Sequence, residues 1–68
     1  MQKRTFYSVT TSAHNEGTVH SMITSTKAAE RKPEREAVLL KDKSIFVDWF
    51  DSYEEAEKFA DEVNRRNV

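Results

Sequence analysis

Cysteine is missing from all 68 residues, which excludes a disulfide framework, a thiolate zinc site and a cysteine nucleophile. Glycine and proline occur once each, as Gly17 and Pro33, so there is neither a glycine-rich phosphate loop nor a low-complexity tract. The two histidines, His14 and His20, cannot alone complete a conventional zinc site. No apolar run approaches the roughly 18 residues of a membrane span, and Met1-Gln2-Lys3-Arg4-Thr5 lacks a signal-peptide core. The expectation is a cytoplasmic protein with no membrane, metal or cofactor partner. Charge of one sign is lacking too, because 11 basic residues oppose 12 acidic ones. Nothing global therefore favours polyanions, and any nucleic-acid contact must rest on a local patch.

What is present is organised around the C-terminal third. Ser44-Ile45-Phe46-Val47-Asp48-Trp49-Phe50 reads as a strand, with Ile45, Val47 and Trp49 on one face and Phe46, Asp48 and Phe50 on the other. The first face is wholly apolar and is assigned to the core, since burying an unpaired Asp48 is costly. Ser52 with Glu55 has capping-box spacing, with Asp51 and Glu54 as the rival pair, so a helix starts near Tyr53. Tyr53, Ala56, Phe59, Ala60 and Val63 then form one apolar stripe. Glu54, Glu55, Glu57, Asp61 and Glu62, interleaved with Lys58, Arg65 and Arg66, read as a solvated helix face that complements the macrodipole.

Towards the N-terminus, Thr5–Thr11 and Thr18–Thr26 are rich in β-branched and aromatic residues. His14-Asn15-Glu16-Gly17 between them reads as a type I turn with Gly17 in a G1 bulge. Facing 14 with 18 puts Tyr7, Val9, Thr11 and Ala13 opposite Ser25, Ile23, Ser21 and Val19. The other face pairs Phe6, Ser8, Thr10 and Ser12 with Thr26, Thr24, Met22 and His20. The apolar members gather on the first face, which supports the register. The predicted core is Tyr7, Val9, Val19, Ile23, Ile45, Val47 and Trp49 against the helix stripe. Residues 27–43 read as an extended, partly irregular connection able to cover Phe46 and Phe50, with Ala37-Val38-Leu39-Leu40 open to a short strand or a helix begun at Pro33.

The expected fold is therefore α+β: a single small domain over 1–68, with a three-stranded antiparallel sheet and one C-terminal helix on one face. No catalytic constellation emerges. His20 lies beside Ser12 without an acid partner or an oxyanion-forming turn, and His14 is a turn residue. The expected function is a small non-enzymatic accessory or adaptor protein that binds another protein or itself. Its candidate interaction face is Met22, Phe46, Asp48 and Phe50, because contiguous exposed apolar surface marks interaction sites. The alternative is a nucleic-acid module using Lys3, Arg4, Lys27, Arg31, Lys32 and Arg35.

Thr5-Phe6-Tyr7-Ser8-Val9, the Gly17 turn and Asp48-Trp49-Phe50-Asp51-Ser52-Tyr53-Glu54-Glu55-Ala56 together resemble small uncharacterised bacterial proteins from the accessory genes of conjugative and other mobile elements. That resemblance implies no particular activity or site. In layout alone, three strands followed by an aromatic, a polar turn and Glu-Glu-Ala opening a helix are similar to the arm-DNA-binding domain of tyrosine integrases. This second resemblance implies a sheet face presented to DNA, whereas the face expected here carries Ser, Thr, His20 and Asp48.

Overall fold

The chain first reverses at its one glycine. Gly17 has φ of 98°, a conformation open to glycine and strained for most other residues. Its N–H donates to the His14 carbonyl at 2.9 Å, and the His14 N–H donates to the Thr18 carbonyl at 2.8 Å. This is the type I turn and G1 bulge that the sequence implies.

The computed structural model describes residues 2–66. Its elements are β1 (Arg4–His14), β2 (Val19–Ala29), β3 (Glu36–Leu39), β4 (Lys43–Phe50) and α1 (Tyr53–Arg66). The strands form one antiparallel sheet in the order β2-β1-β4-β3. The α+β class and the C-terminal helix are as expected, but the sheet has four strands rather than three. The added strand, β3, forms a hairpin with β4 across Lys41 and Asp42, closed by the Leu40 N–H donating to the Lys43 carbonyl at 2.8 Å. At the same end of the sheet, Asn15 ties the two turns together. Its backbone N–H donates to the Asp42 carbonyl at 3.1 Å, and its side-chain amide donates to the Lys41 carbonyl at 3.2 Å.

Near the turn the β1–β2 register is the expected one, with Ala13 opposite Val19, Thr11 opposite Ser21 and Val9 opposite Ile23. Between Ser8 and Val9 it shifts, so Tyr7 faces Thr26 rather than Ser25, and Phe6 faces Lys27 rather than Thr26. The cause is a β-bulge in which Thr24 and Ser25 share the place opposite Ser8. Ser8 Oγ shares hydrogen bonds with Thr24 Oγ1 at 3.0 Å and Ser25 Oγ at 2.8 Å, and accepts the Ser25 N–H at 3.1 Å. Such partners are what a buried hydroxyl requires, and Ser8 is fully buried.

β4 corrects the expected core. It pairs with β1 so that Phe50 faces Tyr7, Asp48 faces Val9 and Phe46 faces Thr11. Directly opposed residues share a face, which places Phe46, Asp48 and Phe50 on the helix side. Ile45, Val47 and Trp49, expected beneath the helix, lie half-buried on the opposite face. A one-residue change of register turns a strand over. In β4 apolar residues occupy both faces, so alternation alone does not choose between them.

α1 starts at the expected cap, where Ser52 Oγ accepts the Glu55 N–H at 3.2 Å. Its small residues Ala56 and Ala60 are buried with Val9, and Tyr7, Ile23, Phe50 and Phe59 pack around them. The Phe50 and Phe59 rings lie 5.1 Å apart at 40°, and Tyr7 meets Tyr53 edge-on at 5.9 Å. Offset and edge-on rings of this kind add about 0.5–1.5 kcal/mol beyond their burial. α1 packs on β1, β2 and β4. β3 projects beyond it.

Candidate functional site

The candidate face Met22, Phe46, Asp48 and Phe50 does not assemble. Met22 is 63% exposed on the side of the sheet away from α1, and the other three lie on the helix side. Phe50 is covered by Phe59. Phe46 lies under the Arg35 guanidinium, whose carbon is 5.1 Å from the ring centroid. Arg35 Nε also pairs with Asp48 Oδ1 at 2.9 Å. The connection thus covers Phe46 through one side chain, while the helix covers Phe50.

The basic candidates scatter in the same way. Arg4 and Lys27 flank Phe6 on the open face, with the Arg4 guanidinium 5.3 Å from the ring centroid. Arg31 and Lys32 lie in the connection after β2, Lys3 precedes β1, and Arg35 is engaged on the opposite face. His20 faces Ser12 as expected, with Asp48 now on the other side of the sheet. Glu36, the carboxylate among the strand residues of this face, belongs to the far edge strand, three strand spacings or roughly 14 Å away. Among the described residues no three His, Cys, Asp or Glu side chains gather as a metal site, and no helix is long and apolar enough to cross a membrane.

The two sheet edges differ in a way that bears on function. In β2, Ser21 sits opposite Thr11 in a pair whose backbone groups point away from β1, by alternation from the hydrogen-bonded pair at the turn. The side chain of Asn64 occupies this exposed position. The Ser21 N–H donates to Asn64 Oδ1 at 2.9 Å, and Asn64 Nδ2 donates to the Ser21 carbonyl at 3.0 Å. One amide thereby takes the place of a strand partner. Beneath it, the Thr11 and Ser21 hydroxyls share a hydrogen bond. Sequence reasoning missed Asn64, although its signal is legible: Ala56, Ala60 and Asn64 follow one another at i,i+4 along the buried stripe.

The β3 edge carries no such cover. Leu40 is hydrogen-bonded to Lys43, so by alternation the backbone groups of Arg35, Ala37 and Leu39 point out of the sheet. Among the described residues no side chain hydrogen-bonds to them. The edge is also apolar: Val38 is 49% exposed, Leu39 76% and Leu40 47%. An exposed apolar edge strand is a template for pairing with another chain. The chain matches no protein-family model, no curated protein and no solved structure, so these surfaces are weighed on their geometry alone.

Proposed function

We propose that this chain is a small non-enzymatic accessory or adaptor protein that binds another protein along the free edge of β3. The carrying observation is the conjunction at one strand of outward backbone donors and acceptors with the exposed run Ala37-Val38-Leu39-Leu40. In strand addition, main-chain hydrogen bonds supply affinity and alternate side chains supply specificity. The test is Ala37→Pro, which removes an outward N–H and no bond to β4. Affinity capture from the native cell with the parent chain and this variant should lose the bound protein in the variant. Capture that is indifferent to the substitution overturns the assignment to this edge.

A second reading has an observation of its own. With Asp48 on the helix side, the open face presents Arg4 and Lys27 at the same end of the sheet as the half-buried ring of Trp49. Cations around an aromatic platform suit a single-stranded nucleic acid. Electrostatic binding is strongest at low salt, so quenching of Trp49 fluorescence by a single-stranded oligonucleotide in dilute buffer supports this reading. Silence there removes it.

A further inference from the structure

We infer that the partner of the β3 edge is a second copy of the chain, paired antiparallel across a two-fold axis at Ala37. This rests on the reading of β3 as a binding edge and adds the identity and register of what binds there.

The register follows from backbone geometry and charge. Only outward-pointing residues can exchange hydrogen bonds with an added strand, and these are Arg35, Ala37 and Leu39. A symmetric antiparallel pair must therefore place its axis at 36, 37 or 38 to keep most of the strand engaged. An axis at Glu36 sets that carboxylate against its own copy. At Val38 it runs Arg35 and Glu34 past the end of β3, where they gain no strand partner and lie beside the like charges of the Lys41-Asp42 turn. Sliding further brings Arg35 opposite itself, or carries Glu36 to the turn beside Asp42. Like charges directly opposed are destabilising. The axis at Ala37 opposes Arg35 to Leu39, Glu36 to Val38 and Glu34 to Leu40, with the small Ala37 facing its copy. No like charges are then directly opposed.

The same register covers the exposed side chains. Leu39 lies beside the aliphatic stem of Arg35 in the second copy, whose guanidinium is already held over Phe46 and against Asp48. Long basic side chains bury their stems in this manner while the charged head stays solvated. On the open face Val38, flanked by Ile45 in its own copy, meets Glu36 of the other. Both helices fall on the same side of the joined sheet. Neither obstructs the axis, because α1 packs on β1, β2 and β4. A strand of four residues buries less than a standard interface, so the association is reversible and concentration-dependent.

The full chain is tested by sedimentation equilibrium over a concentration series, together with single-cysteine variants, since no other cysteine interferes. Ala37→Cys should cross-link to its copy in a glutathione redox buffer far more readily than Val38→Cys or Leu39→Cys. Opposed Cα atoms about 5.5 Å apart lie within disulfide reach, and only position 37 faces itself. Leu39→Glu should self-associate about tenfold more tightly than Leu39→Lys, because each meets Arg35 of the other copy. A strict monomer at millimolar concentration, a dimer that cross-links no more readily through position 37 than through 38 or 39, or equal affinities for the two Leu39 variants would each overturn the proposal. A monomer whose captured protein is still lost on Ala37→Pro overturns the self-pairing alone and leaves the edge-binding function standing. A dimer unaffected by Ala37→Pro, with capture likewise unaffected, removes both.

Discussion

Arg35 and Asp48 are joined at 2.9 Å, from Nε to Oδ1, across the outer part of the helix-side sheet face. This pair is how β4 tolerates a carboxylate on that side. The helix covers β1, β2 and the Phe50 end of β4, and the remaining strip is closed by a guanidinium lying on Phe46.

Arg35→Ala removes the ion pair and uncovers Phe46 together, and it should lower stability by about 1 kcal/mol, near the sum of a partly exposed pair and a modest cation–π contact. A double-mutant cycle with Asp48→Ala, read by urea denaturation, should return a coupling of about 0.5 kcal/mol that shrinks in added salt. A coupling of zero at low salt would show that the pair does not position Arg35.

Gly17→Ala isolates a backbone effect. A Cβ at this position meets nothing within 4 Å, so the whole penalty comes from φ of 98°. Thermal or urea unfolding should show a loss of about 1–2 kcal/mol. Gly17→Asn should lose less, because Asn enters positive φ more readily.

Ala56 is buried against Val9, and Ala56→Leu should cost about 1–3 kcal/mol by overpacking. Lys58→Leu on the exposed side of the same helix should fall within about 0.5 kcal/mol of the parent. Equal effects on the two would mean that the helix does not sit on the sheet by this stripe.

Trp49 reports which way β4 faces. Lying half-buried on the side away from α1, it should be quenched substantially by acrylamide in the folded protein, while Phe50→Ala destabilises through loss of the Phe59 contact. A Trp49 shielded from the quencher in the monomer would restore the opposite orientation of the strand.

The parts of the fold legible in sequence are those where two independent signals meet. Gly17 and the alternation around it agree on the first hairpin, and Ser52 with the Ala56–Phe59–Ala60 stripe agrees on the helix. Beyond Ser8 the hairpin register is hidden, because the bulge is held by hydroxyl contacts among Ser8, Thr24 and Ser25 that no hydropathy pattern encodes. The orientation of β4 is ambiguous because Phe46 and Phe50 are as apolar as Ile45 and Val47. Its one acidic residue, Asp48, points by itself to the solvent side, although its partner Arg35 lies 13 positions earlier in the chain. β3 stays undecided between strand and helix because Glu36–Leu39 shows no alternation and is exposed throughout. The site inherits both ambiguities: the expected interaction face depends on the orientation of β4, and the free edge belongs to a stretch whose sequence suits a strand and a helix equally.

The amide of Asn64 on Ser21 should reveal itself in slow hydrogen exchange at the Ser21 N–H. Asn64→Ala should speed that exchange and cost about 1–2 kcal/mol for two lost hydrogen bonds. Its larger consequence is for stoichiometry. A sheet with two adhesive rims polymerises, and on the β2 rim Asn64 closes one position, the outward backbone groups of Ser21. Removing the Asn64 amide frees that position for a strand from another copy, so Asn64→Ala should raise the share of species larger than a pair in sedimentation.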